Sequence, residues 1–116
     1  MSIAAYSTDL GALVTTHTRF TSATTTSIIP ATKNEKQIVC VNVANITSGA
    51  LTFILDVYDG TTARQLTGTE SVAANSRATF ELPIMVTAGE VVRLTSSATG
   101  LHVFATYKTA PSGRTP

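Results

Sequence analysis

The chain has 116 residues, eight Lys or Arg against seven Asp or Glu, and a formal net charge of +1; charged residues make up 13% and hydrophobic residues 43%. That length supports one domain, near-neutral charge argues against a protein that lives on nucleic-acid phosphates, and so few charges argue against disorder along the whole chain. A single cysteine cannot form an internal disulfide, and with only two histidines it makes a poor zinc site.

Threonine is the other outlier: 22 Thr and 10 Ser place a hydroxyl on more than a quarter of the residues. The branched Cβ of Thr fits a pleated, half-buried surface, and a face coated in Thr, Ser and Ala gives up little solvation when another protein covers it. The composition therefore predicts a β-rich chain assembled into something larger. The opening Met1–Asp9 has neither the basic start nor the apolar stretch of a signal peptide, which predicts synthesis in the cytoplasm without secretion by this route.

Period-two alternation dominates between the two terminal segments. Residues 12–20 predict a first strand and Thr24–Ile29 a second, stopped by Pro30. Ala31–Lys36 carries three charges and reads as an exposed loop. Gln37–Asn45 has Val39, Val41 and Val43 on one face and Ile38, Cys40, Asn42 and Ala44 on the other; two apolar faces predict a central strand or one whose second face another chain covers. Ala50–Tyr58 turns Leu51, Phe53, Leu55 and Val57 inward and Thr52, Asp56 and Tyr58 outward. Asp59-Gly60 predicts a type I′ hairpin turn with a return strand over Thr61–Leu66. Thr67–Ser76 reads as loop, and Arg77–Leu82 as a strand with Ala78, Phe80 and Leu82 inward, ended by Pro83. Val91–Thr95 and Leu101–Lys108 complete the set, the last with Leu101, Val103, Ala105 and Tyr107 on one face and His102, Phe104 and Thr106 on the other. About eight short strands at this spacing predict an all-β fold, a single antiparallel β-sandwich of jelly-roll type. The organisation is an N-terminal arm over 1–11, the sandwich over 12–108 and a C-terminal arm over 109–116.

Chemistry is sparse. His17 and His102 sit mid-strand among Thr residues with no nucleophile elbow nearby, and read as half-exposed strand residues rather than catalytic bases. Cys40, flanked by Ile38, Val39, Val41 and Val43, is expected to pack as a small hydrophobe inaccessible in the native fold. Asp56, Asp59 and Glu70 lack the spacing of a calcium loop, and no carboxylate pair suggests a glycosidase. Gly49, Gly60, Gly68, Gly89 and Gly100 read as turn glycines, not as a phosphate cradle. Tyr58, Phe104 and Tyr107 could form a sugar-stacking platform, but with no Trp and 6% aromatics core or interface packing is the stronger reading. Asn45-Ile46-Thr47 fits a glycosylation sequon that a chain without a signal peptide would not use. No catalytic, cofactor-binding or metal-ligating residue is assigned.

The order Ser27-Ile28-Ile29-Pro30, then Ile38-Val39-Cys40-Val41-Asn42-Val43-Ala44-Asn45, Ser48-Gly49-Ala50-Leu51-Thr52-Phe53, Val72-Ala73-Ala74-Asn75-Ser76, Phe80-Glu81-Leu82 and Val86-Thr87-Ala88-Gly89-Glu90-Val91-Val92-Arg93-Leu94 resembles small β-sandwich virion proteins of tailed bacteriophages. That group includes head-decoration, neck and tail-associated subunits, and the resemblance covers roughly residues 24–107. It implies a non-enzymatic, self-assembling virion subunit with no cofactor. Its expected place is the capsid (decoration or cement) or the neck, ahead of the tail. Its partners would be copies of itself and other virion proteins, with neither nucleic acid nor membrane. The alternative is a carbohydrate-binding module that attaches to a glycan surface.

Overall fold

The computed structural model describes residues 13–81 and 84–109. Among these residues every regular element is a strand: β1 Leu13–Arg19, β2 Thr25–Ile29, β3 Lys36–Asn45, β4 Leu51–Tyr58, β5 Ala63–Gln65, β6 Glu70–Val72, β7 Ser76–Phe80, β8 Met85–Val86, β9 Val91–Ser96 and β10 Leu101–Thr109. The expected arms, together with Leu82 and Pro83, lie outside the described residues, apart from Thr109, which ends β10 opposite Lys36.

All pairings are antiparallel. One sheet runs β1-β10-β3, with β7 and β8 sharing the far side of β3; the other runs β2-β9-β4, with β5 and β6 sharing the far side of β4. Counting each broken outer strand once gives eight positions. The pairs nest: β1 with β10, β2 with β9, β3 with β7 and β8, β4 with β5 and β6. This is a jelly roll, a long hairpin wrapped so that its two arms alternate between two sheets.

The core forms where the alternating apolar faces meet. Phe53, Leu55 and Val57 of β4, Val92 and Leu94 of β9, and Leu101, Val103, Ala105 and Tyr107 of β10 are all buried, as the period-two reading requires. Phe20, just past β1, seals one end. Each fully buried Leu, Ile, Val or Phe contributes roughly 1.5–3 kcal/mol by leaving water.

Three local readings are corrected. In β3 the register with β10 passes from Cys40↔Thr106 to Ile38↔Tyr107, leaving Val39 as the extra residue of a bulge. The bulge turns Ile38 inward along with Val41 and Val43, while Val39 and Cys40 are both half-buried. The Asp59-Gly60 turn is not type I′. Of its two residues only Gly60 has positive φ, at 100°, and a longer loop closes with Asp59 Oδ1 accepting from the N–H groups of Thr61 and Thr62 at 2.8 Å each. Finally, Lys36 does not belong to the exposed loop: it opens β3 and is fully buried.

The loops at one end of the sandwich are tied together by Asn45, which is 2% exposed. Its Nδ2 donates to the carbonyls of Gly49 (2.8 Å), Val72 (3.0 Å) and Ala73 (3.3 Å). Its Oδ1 accepts from Thr47 N (2.9 Å) and Thr47 Oγ1 (2.7 Å). The sequon asparagine is thus a buried brace.

Candidate functional site

The outer face of one sheet keeps its charged residues at its two ends, and that placement locates the candidate surface. Strand register arranges the outer face of β1-β10-β3-β7/β8 in rows. Arg19, His102, Ala44 and Arg77 form the first; His17, Phe104, Asn42 and Thr79 the second; Thr15, Thr106 and Cys40 the third; Leu13, Lys108, Gln37 and Met85 the fourth. The two middle rows hold no Lys, Arg, Asp or Glu.

Those rows are internally satisfied. His17 meets Phe104 edge to face with centroids 4.5 Å apart. The Thr15 and Thr106 hydroxyls bond at 3.0 Å, and Thr79 Oγ1 donates to Asn42 Oδ1 at 2.6 Å. Polar atoms already bonded sideways lose little when a partner displaces water above them. Around them Leu13 is 63%, Met85 56% and Phe104 39% exposed, which supplies apolar area at the same level. The first row adds cations at one end, where His17, Arg19, His102 and Phe104 line a shallow open depression.

On the opposite outer face the register sets one charged pair, Asp56 and Arg93, in the middle of the sheet. Arg93 grips Asp56 at two points, Nε–Oδ1 2.9 Å and NH2–Oδ2 3.2 Å, and lies 3.9 Å over the Tyr58 ring. The Asp56 carboxylate bond holds the Arg93 guanidinium above its ordinary pKa. At the edge of that sheet Arg64, registered opposite the inward Val57, bonds Glu90 and approaches Asp59 at 3.7 Å. The Asp59 carboxyl is held below its ordinary range by the N–H groups of Thr62 and Thr61, with Arg64 adding to the effect.

The residues weighed for chemistry are scattered by the fold. His17 and His102 are surface strand residues one row apart. Cys40, expected to be inaccessible, is instead half-buried on the outer face, 3.9 Å from Asn42 Nδ2, because it alternates with the buried Val41 and shares its face with Asn42 and Ala44. Asp56 serves Arg93 and Asp59 caps its own loop, and among the described residues no three His, Cys, Asp or Glu side chains come together around a point. The sugar platform is dispersed: Tyr58 lies on one sheet's outer face, Phe104 on the other's, and Tyr107 is buried between them.

Lys36 escaped the sequence reading. Its Nζ donates to the Glu90 main-chain oxygen at 3.0 Å and reaches Thr32 Oγ1 at 3.4 Å. Burial lowers its pKa below the ordinary value, and the nearby Glu90 charge offsets part of that shift. The period of two running back from Ile38 was the signal that could have placed it inside.

No family model matches the chain, and no curated protein matches it. Solved structures do. A chain of the acid-stable capsid of Helicobacter pylori bacteriophage KHP30 is similar with a TM-score of 0.59 at 14% identity, over 89% of this chain and 90% of that one. A chain of the cyanophage Pam1 capsid gives 0.53 at 16% identity, over 85% and 86%. The nucleoplasmin-like N-terminal domain of Drosophila FKBP39 also gives 0.53, at 9% identity over 91% and 96%. The chain spans 61% of the length of a pentameric capsid protein from metagenomic phage sequences, at 20% identity over 84% of this chain and a TM-score of 0.46. At these identities the likeness is one of fold: an antiparallel β-sandwich that phage capsid chains share with a non-viral domain.

Proposed function

We propose that the protein is a non-enzymatic, self-assembling structural subunit of a phage particle. Its place is the capsid, as a decoration or cement protein, or the neck, with a tail position next. The observation that carries this reading is the outer face of β1-β10-β3-β7/β8, where two adjacent rows hold Thr, Asn, Cys, Phe and His and no Lys, Arg, Asp or Glu. Interface cores are depleted in Lys, Glu and Asp in the same way. The jelly-roll likeness to chains of two phage capsids supports the setting.

The carbohydrate-binding alternative is weakened by the dispersal of Tyr58, Phe104 and Tyr107. The test is cryo-electron microscopy of purified particles at a resolution that traces this chain. Ordered copies on the capsid or neck are expected. Particles that lack the chain, together with glycan-array binding by the purified protein, would replace this reading with the alternative.

A further inference from the structure

A jelly roll has four sheet edges, and an unprotected edge is a template for another strand. Three are interrupted here. β2 carries a register shift between Ser27 and Ile29 and stops at Pro30. The β5/β6 edge is broken over residues 66–69, and the β7/β8 edge is shared by two short strands, the first ending at Phe80 and the second starting at Met85. The fourth, β1, runs for seven residues with no Gly, Pro or register shift, and its one charged residue, Arg19, is at its end. Among the described residues it pairs with β10 alone.

The backbone bonds at the end of the ladder identify which groups of β1 are already used. Phe20 N–H donates to Leu101 O at 2.8 Å, and Gly100 N–H to Phe20 O at 2.9 Å. Counting back in twos along the regular register, Thr18, Thr16 and Val14 bond β10, while Leu13, Thr15, His17 and Arg19 direct their N–H and C=O groups to the open edge. The close contacts Thr15–Thr106 and His17–Phe104 agree, since side chains approach most closely in non-hydrogen-bonded pairs.

We infer that β1 pairs antiparallel with β1 of a second copy about a two-fold axis at Thr16, joining two sheets into one. This rests on the self-association in the proposed function but not on the particle. The register is self-consistent. Leu13 faces Arg19 of the second copy and Thr15 faces its His17, so every open-edge residue exchanges two backbone bonds with another open-edge residue. Arg19 is kept from its own counterpart and lies beside the exposed Leu13. Val14 meets Thr18, and Thr16 meets Thr16, on the other side of the sheet. A parallel arrangement would set Arg19 against Arg19. The same strand, inverted, completes this edge without a like-charge clash.

The test uses the full chain in solution. Sedimentation should give a dimer or a multiple of one. His17→Pro removes a donor that β10 does not use, and edge strands tolerate proline at such positions. Both copies lose a bond, so dimerisation weakens about tenfold with the β-sheet spectrum retained. Independently, Thr16→Cys in a Cys40→Ala background should form a disulfide-linked dimer under mild oxidation, because the two Cα atoms then face each other at non-hydrogen-bonded strand spacing. Thr18→Cys in the same background, facing Val14, should not. Wild-type association by His17→Pro, failure of Thr16→Cys to cross-link, or a monomeric full chain whose Thr15 and His17 amides resist exchange would each overturn the inference. Particle imaging separately tests the virion reading, so a failed dimer and a failed localisation are distinguishable.

Discussion

Gly100 and Thr47 meet at the loop end of the sandwich so closely that a Cβ on Gly100 would lie 2.3 Å from Thr47 Cγ2. Gly100 also has φ of +117°, a region that side-chain-bearing residues rarely enter. Gly100→Ala therefore combines backbone strain with overpacking and is expected to cost about 2–4 kcal/mol in urea denaturation. Adding Thr47→Ser removes the methyl and should recover the steric part alone. Gly49→Ala, with open space around its Cβ position, should lie within about 0.5 kcal/mol of wild type.

The Arg93–Asp56 pair gives a second prediction. Asp56 is 6% exposed, and its carboxylate meets the guanidinium at two points. Arg93→Ala leaves that carboxylate buried without its partner and uncovers the Tyr58 ring, for an expected loss of about 2–3 kcal/mol. Arg93→Lys keeps the charge without the planar fork and should recover only part of it. Wild-type stability of Arg93→Lys would show that charge alone matters.

The sequence reveals this fold wherever one strand face is apolar and the other is not. β10 and β4 are legible for that reason, since only one orientation buries Leu101, Val103, Ala105 and Tyr107, or Phe53, Leu55 and Val57. β3 is ambiguous because both its faces are apolar: shifting Ile38 for Val39 costs little locally, and the choice is made by the bulge opposite Tyr107. The short β6 and β8 are held by pairing with β4 and β3 rather than by their own pattern. The candidate face is less legible still. Its rows join residues distant in the chain, such as His17, Phe104, Asn42 and Thr79, and only the strand order brings them together.

Lys36 supplies a pH test. Burial keeps its folded pKa below the ordinary 10.5. Between the folded and ordinary values the unfolded chain binds more protons than the native one, so stability rises with pH across that window. Below the folded pKa both states are protonated and the contribution is flat. Lys36→Met should abolish the rise, with other lysines and tyrosines cancelling in the comparison. Urea midpoints from neutral pH to about 10.5 measure it, and parallel curves for the two proteins would refute the assignment.

Cys40 lies on the outer face beside the Val39 bulge and is half-buried. A thiol reagent is therefore expected to label one equivalent without denaturant, faster than global unfolding allows. Cys40→Ser should cost less than about 1 kcal/mol, since a hydroxyl at this depth can still reach water. Labelling that requires denaturant would return Cys40 to the core. In an assembled state that covers this face, labelling should slow.

Asn45 provides the sharpest electrostatic test, because its amide faces three main-chain carbonyls on one side and two Thr47 donors on the other. Asn45→Asp preserves shape and the acceptor for Thr47 but replaces the donor by an anion aimed at the oxygens of Gly49, Val72 and Ala73. At neutral pH that substitution is expected to cost about 2–4 kcal/mol. Protonating the new carboxyl restores one donor, so its folded pKa must lie above the unfolded value. Between those two values the native state binds more protons, and stability falls as pH rises through the window. The variant should therefore approach wild type as the medium is acidified below about pH 4. Asn45→Ala lacks both donor and acceptor and should be destabilised without this pH dependence. If Asn45→Asp is as stable as wild type at neutral pH, or its deficit does not shrink on acidification, the asparagine is not the brace that joins the β3–β4 and β6–β7 loops.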